Sequence, residues 1–224
     1  MDDQQRWDSA NALNQKGNYS QAIEYYQAIP GFDQKAEVLY NMGNAYLQSG
    51  QLGRAVWSYE KAYRLDPTDA SIHHNLEAAR QRIINPYRDQ SFILSGWWQG
   101  VYQALPVNVW AVILLITGMG IGFILGKRKA DNTRYRVTLS VSVILFLCIG
   151  SVLYLGILNL RDDSGVAIRY VNQLYGDRDL SQTLDRNLPE GTKVRILEAD
   201  ARMMKVRLPN GVEAYVSAEN VAQL

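Results

Sequence analysis

Two long apolar runs divide the chain into three parts. Val107 to Gly126 reads VNVWAVILLITGMGIGFILG, and Val137 to Leu160 reads VTLSVSVILFLCIGSVLYLGILNL; neither holds a charged side chain. Each has about the 20 residues a helix needs to cross the hydrocarbon of a bilayer. Before them, residues 1–86 carry apolar positions at helical spacing. After them the period falls from 3.6 to 2: Lys193-Val194-Arg195-Ile196, Met204-Lys205-Val206-Arg207-Leu208 and Val212-Glu213-Ala214-Tyr215-Val216 all alternate. The turn signals Glu190-Gly191 and Pro209-Asn210-Gly211 separate them, with Asn-Gly the signal of a two-residue hairpin loop. The pattern predicts a multidomain membrane protein: an all-α module, a two-span helical hairpin and a small all-β barrel.

The segment between the runs, 127–136, reads KRKADNTRYR. Lys127, Arg128, Lys129, Arg134 and Arg136 face a single acid, Asp131. The twenty residues before the first run carry only Arg88, and the twenty after the second carry Arg161, Arg169 and Arg178. Short loops dense in Lys and Arg stay cytoplasmic. These five side chains therefore set the expected topology: helix 107–126, cytoplasmic loop 127–136, helix 137–160, and both terminal modules on the far side of the membrane. Translocation of the first module calls for a signal peptide, and Met1-Asp2-Asp3-Gln4-Gln5 has neither the basic start nor the apolar core of one. A leader already removed accounts for this; a cytoplasmic N-terminus with an inverted loop is the competing arrangement.

The first module repeats itself. Gly17-x-Tyr19-x-x-Ala22-x-x-x-Tyr26 aligns with Gly50-x-Leu52-x-x-Ala55-x-x-x-Tyr59 at an offset of 33. Gly43 and Ala55 are small enough for two helices to approach closely, Tyr46 and Tyr59 fill the remaining space, and Asp66-Pro67 stops the second helix. Pro30-Gly31 closes the earlier copy. Thr68 or Asp69 can cap a further helix over about 70–84. The segments 3–35 and 36–69 resemble tetratricopeptide repeats, with 70–84 as a capping helix that shields the last repeat. The resemblance implies a groove made by the first helix of each pair, lined by Trp7, Asn11, Tyr40, Asn44, His74 and Arg82. Asn11 and Asn44 hold equivalent positions and could grip an extended peptide through paired amide bonds. The cations of the chaperone-tail carboxylate clamp are unmatched, since Trp7, His74 and Ala78 stand in their places.

Between the repeats and the first span, 87–106 places Phe92, Ile93, Trp97, Val101, Tyr102 and Leu105 near helical spacing, which fits an amphipathic aromatic segment at the headgroup level. At the other end, Leu174-Tyr175, Leu188 to Val194, Met204 to Leu208, Asn210-Gly211 and Tyr215-Val216 occur in the order of bacterial SH3 domains. The resemblance covers about 165–224. Met203-Met204 and Ala214-Tyr215 replace tryptophan-bearing pairs, leaving Tyr175 and Tyr215 as the expected ligand-surface aromatics.

Composition adds exclusions. A net charge of +1 gives no argument for nucleic acid or a strongly anionic surface as partner, and none is expected. The lone cysteine, Cys148, lies in the second span, so no intramolecular disulfide or thiolate metal site can form. His73 and His74 are neighbours on a helix and point about 100° apart, unlike an i, i+4 zinc pair. With no phosphate-binding loop, nucleophile elbow or zinc motif, the expectation is a non-enzyme that uses no cofactor or metal.

The whole order, and the segment YNMGNAYLQSGQLGRAVWSYEKAYRLDPTDASIHHNLEAARQRI in particular, resembles the BatE proteins of bacterial aerotolerance operons. That resemblance implies a two-pass inner-membrane protein with periplasmic modules. It also implies membrane-anchored von Willebrand A-domain Bat proteins and a MoxR-type AAA+ ATPase as partners. The first expectation is a scaffold whose repeat groove binds a protein partner in an envelope-stress complex. The second is an envelope sensor that binds cell-wall peptides through its SH3-like domain.

Overall fold

A computed structural model describes residues 1–84, 105, 107–126, 133–160 and 163–224. It divides into two compact units: residues 1–84 with 163–224 form one, and the two apolar helices the other. The apolar and aromatic positions Phe92, Ile93, Trp97, Val101 and Tyr102, and the basic residues Lys127, Arg128 and Lys129, lie outside the described residues.

Five helices open the first unit: α1 (Asp3–Gln15), α2 (Tyr19–Gln27), α3 (Ala36–Gln48), α4 (Leu52–Leu65) and α5 (Ala70–Gln81). Asp2 and Gln5 form a reciprocal capping box on α1, and Asp69 accepts from Ser71 and Ile72 at the start of α5. α4 ends at Leu65, directly before Asp66-Pro67, because proline cannot continue a helix. α5 stops at Gln81, three residues short of the 84 predicted. Gly17 and Gly50 occupy matching left-handed turns (φ 79° and 78°) that fold each second helix back on its first. Close packing of the second pair needs Gly43, where a Cβ would stand 2.5 Å from the Tyr59 ring.

The remainder of this unit is an antiparallel sheet with the strand order β3-β2-β6-β5-β4-β1-β7. Its strands are β1 (Ser164–Ala167), β2 (Leu174–Tyr175), β3 (Thr183–Leu184), β4 (Lys193–Ala199), β5 (Met203–Arg207), β6 (Glu213–Ser217) and β7 (Val221–Gln223). Alternate residues Val194 and Ile196, Val206, and Ala214 and Val216 point into the sheet's own core with Leu174 and Leu188. The β5–β6 connection differs from the two-residue loop that Asn-Gly predicts. Leu208 pairs with Val212 (N–H to O 2.8 Å), and its carbonyl accepts from the Gly211 N–H at 2.9 Å. Only Gly211 of this loop has positive φ, at 84°. Pro209 is locked near −65°, so the loop is a three-residue turn with Gly211 in the left-handed position.

The sheet and the repeats share a core. Val166 of β1 is fully buried in the same cluster as Tyr26, Met42, Tyr59 and Leu76. α4 is the element between them and is buried on two faces. Ala55, Tyr59 and Ala62 face the repeat core, while Gly53, Val56, Trp57, Glu60 and Arg64 run along a second stripe at i, i+3/i+4 spacing. Contacts along this stripe reach the sheet: a Cβ on Gly53 would lie 2.6 Å from the Ala167 carbonyl oxygen. The Trp57 indole N–H donates to the Gln223 carbonyl at 2.8 Å, and Arg64 donates to the Ser164 hydroxyl at 2.6 Å.

In the second unit, α6 (Val107–Gly126) and α7 (Thr133–Leu160) pack as an antiparallel pair. Gly118 lies against Phe146 and Gly150 against Leu114, contacts whose residue numbers share one sum, as antiparallel neighbours must. α7 begins at Thr133 rather than Val137, so Arg134 and Arg136 belong to the helix rather than to the connecting loop. No proline or glycine stands between Thr133 and Val137 to stop it. Within α7, Arg136–Tyr154 is long and apolar enough to cross a membrane, and only 6% of its most apolar stretch is buried; Asn108–Phe123 is apolar but shorter. The Thr117 hydroxyl donates to the Ile113 and Leu114 carbonyls and Ser151 to Cys148, so these polar groups are satisfied within their own helices.

Candidate protein-binding face and the docked sheet

The first helices of the pairs, with α5, carry the six predicted groove residues. Asn11 and Asn44 do the same job in successive repeats. The Tyr26 hydroxyl donates to Asn11 Oδ1 at 2.5 Å, and the Tyr59 hydroxyl donates to Asn44 Oδ1 at 2.7 Å, each across fifteen residues. Both tyrosines are fully buried. Burial pushes the Tyr26 phenol up to about 12 and raises Tyr59 as well, so both remain neutral donors. Each asparagine oxygen therefore accepts at least one bond from inside the repeats.

Tyr40 and Asn44 belong to a larger network. Asn75 of α5 donates from Nδ2 to the Tyr40 hydroxyl and to Asn44 Oδ1, both at 3.0 Å. Sequence comparison of the repeats overlooks Asn75, because α5 shares only Leu76 with the repeat pattern. His74 is exposed on the same helix, and Arg82 is exposed as the residue that caps its C-terminus. Trp7 packs edge-on against Tyr26 with ring centroids 5.7 Å apart. It also borders a cleft of about 310 Å³ between α1 and α3, where Ile29, Ala36 and Val38 supply apolar wall and Asp3, Lys35 and Glu37 supply charge. The six residues thus fall into two kinds. Asn11, Asn44 and Tyr40 hold the repeats together, while Trp7, His74 and Arg82 offer side chains outward.

On the sheet, Tyr175 and Tyr215 stand directly opposite each other across β2 and β6, both half-buried. Glu213 bonds Lys205 at 3.0 Å and Arg207 at 2.6 Å, and the Lys205 ammonium lies 6.0 Å from the Tyr215 ring centroid. This gives a small aromatic and charged patch.

The seam between the sheet and α4 holds a buried charge. Glu60 is 3% exposed and takes Lys193 of β4 on Oε2 at 3.2 Å and Arg80 of α5 on Oε1. Burial alone would raise its carboxyl; Lys193 and then Arg80 outweigh it and hold the group below its ordinary value. Nearby, α4 lacks a side-chain cap of its own. The Glu190 carboxylate accepts from the Gly53 N–H at 3.3 Å, satisfying one of the helix's unpaired amides from 137 positions away. Gly191 follows at φ 79°, with Ile83 against its Cα. Sequence offered one hint of this seam: Gly53, Val56 and Trp57 are apolar or small on a side of α4 that the repeat pattern leaves unused.

Among the described residues, no group of three His, Cys, Asp or Glu could hold a metal ion. No curated protein matches the chain. A family profile described as TPR repeat matches residues 43–82, from the middle of α3 through α5. Those residues form a TPR repeat, typically a non-catalytic protein-interaction module.

Proposed function

We propose that this chain is a non-enzymatic, membrane-anchored scaffold whose first-helix face holds a segment of a protein partner. The observation that carries the reading is the Trp7 cleft, an apolar-walled recess with charged edges on a TPR-type scaffold. Trp7, His74 and Arg82 contact the partner; Asn11, Tyr40 and Asn44 keep the face in shape.

The anchor is the pair α6 and α7, crossing together. Leu115, Ile116, Met119, Phe123, Ile144 and Leu147 are more than 60% exposed, a surface suited to lipid. A single crossing would put residues 1–84 and 163–224 on opposite sides of the bilayer, where they could not share a core. This supports two spans, both modules periplasmic, and the Lys127–Arg136 basic segment cytoplasmic in a bacterial inner membrane. The resemblance to BatE proteins suggests the setting: a Bat/MoxR-type envelope-stress or aerotolerance complex, with von Willebrand A-domain proteins and an AAA+ ATPase as partners.

A second reading has its own observation in the opposed pair Tyr175 and Tyr215. On it the sheet, an SH3-like domain, senses cell-wall peptides. The two readings separate in one experiment: capture from native membranes in mild detergent by the full chain, by Trp7→Ala/Arg82→Glu and by Tyr215→Ala. The scaffold reading expects defined membrane proteins with the wild type and their loss with the first variant. Wall fragments alone, lost with Tyr215→Ala, would overturn it in favour of the sensor.

A further inference from the structure

α5 bonds residues of the binding face on one side, and on the other it meets Glu60, the α4 carboxylate that also holds Lys193 of the sheet. Toward the face, Asn75 bonds Tyr40 and Asn44, while His74 and Arg82 stand exposed. Toward the sheet, Arg80 reaches Glu60, which also holds Lys193, and Ile83, just past the helix end, packs on Gly191. Arg80 is also paired with Glu77 one turn earlier. Among the described residues, no repeat follows α5. A solenoid normally needs such a neighbour, because each repeat contacts only those beside it. Here Lys193 at the start of β4, acting through Glu60, and Gly191 against Ile83 supply lateral support.

We infer that α5 couples the docked sheet to the partner-binding face, so that affinity at Trp7, His74 and Arg82 depends on Lys193, a positioning residue outside that face. The inference rests on the reading that this face binds a protein. The route is short and made of named contacts: Lys193 to Glu60, Glu60 to Arg80, then along α5 to Asn75, and from Asn75 to Asn44 and Tyr40. Without Lys193, Glu60 keeps only Arg80 as its cation, and that guanidinium is already shared with Glu77. Water then competes for the seam, and the C-terminal half of α5 loosens first. His74 and Arg82 lose their fixed positions at the end of the module, which lowers the fraction of molecules with a competent face.

The test uses the full chain in detergent, comparing wild type, Lys193→Met and Lys193→Arg. Amide hydrogen exchange is read separately over α5 and over α1–α2. Lys193→Met is expected to speed exchange in α5 about tenfold, the loss of a charged hydrogen bond, with α1–α2 little changed. Lys193→Arg, which keeps a cation at the seam, should restore the wild-type pattern. Unchanged α5 exchange in Lys193→Met would overturn the coupling. So would an equal rise in α1–α2, which marks general destabilisation. Partner capture is then measured on the same samples. Faster α5 exchange with weaker capture supports the whole inference. Faster exchange with undiminished capture overturns the dependence of affinity on Lys193. Loss of capture in Trp7→Ala, set beside wild-type exchange in Lys193→Met, would leave the binding face standing and remove the link.

Discussion

Glu60 and Lys193 are 133 positions apart in the chain and 3.2 Å apart in space, and the carboxylate is almost wholly buried. A buried charge costs several kcal/mol unless it is paired, so the contact fixes where the sheet must sit on α4. Glu60→Ala should lower stability by about 2 kcal/mol, less than a fully buried pair because both cations can rehydrate. A chemical melt in detergent checks this. A shift within a few tenths would mean that the apolar contacts of Val166 hold the seam unaided.

The same carboxylate makes stability depend on pH. Its folded value lies below the ordinary one, so its contribution is complete above about pH 4.5, the unfolded range. The contribution is lost as pH falls through the lower folded value. The thermal midpoint should therefore hold from pH 7 to about 5 and fall steeply below about 4. Glu60→Gln should flatten part of that fall. An identical acid limb in the variant would assign the loss to other carboxylates.

Gly53 tests the seam by sign. At an open helix position, glycine to alanine gains about 1 kcal/mol from backbone entropy. Here the new methyl would lie 2.6 Å from a backbone carbonyl oxygen, and backbone atoms cannot swing aside. Gly53→Ala should instead destabilise the chain by about 2 kcal/mol. A gain in melting temperature would show that the sheet does not press on α4.

Asn44→Ala should cost about 1–3 kcal/mol, because it strands the buried Tyr59 hydroxyl. Adding Tyr59→Phe should recover part of that loss, a coupling of about 1 kcal/mol. Additive losses would mean that the 2.7 Å bond carries no weight.

Much of this arrangement could be read before the structure. The offset of 33 made Asn11 equivalent to Asn44, and the resemblance to bacterial SH3 domains put Tyr175 and Tyr215 among the sheet aromatics. Other features left little trace. β1 is buried on both faces, so its four residues show no alternation and do not read as a strand. Trp57, Glu60 and Arg64 resemble an ordinary amphipathic surface until their partners are known. Those partners, Gln223, Lys193 and Ser164, lie beyond the apolar helices. No local pattern encodes a contact made at such a distance. Asn210-Gly211 misled for the opposite reason, since its local signal is strong and Pro209 overrides it.

The shared core also bears on the proposed membrane anchor. The Arg136–Tyr154 stretch of α7 is long and apolar enough to span, whereas Asn108–Phe123 is shorter. Counted separately, the two would suggest one crossing. One crossing would part Val166 from Tyr59 and Lys193 from Glu60, leaving a buried carboxylate with half its cations and an apolar strand in water. Both penalties vanish if the helices cross as a pair. Cysteines placed by Asn18→Cys and by Asp179→Cys, each in a Cys148→Ser background, should therefore react with a membrane-impermeant maleimide from the same face of oriented vesicles. The basic connection predicts that this face is the periplasmic one. Labelling from opposite faces would mean that the repeats and the sheet never meet in the cell.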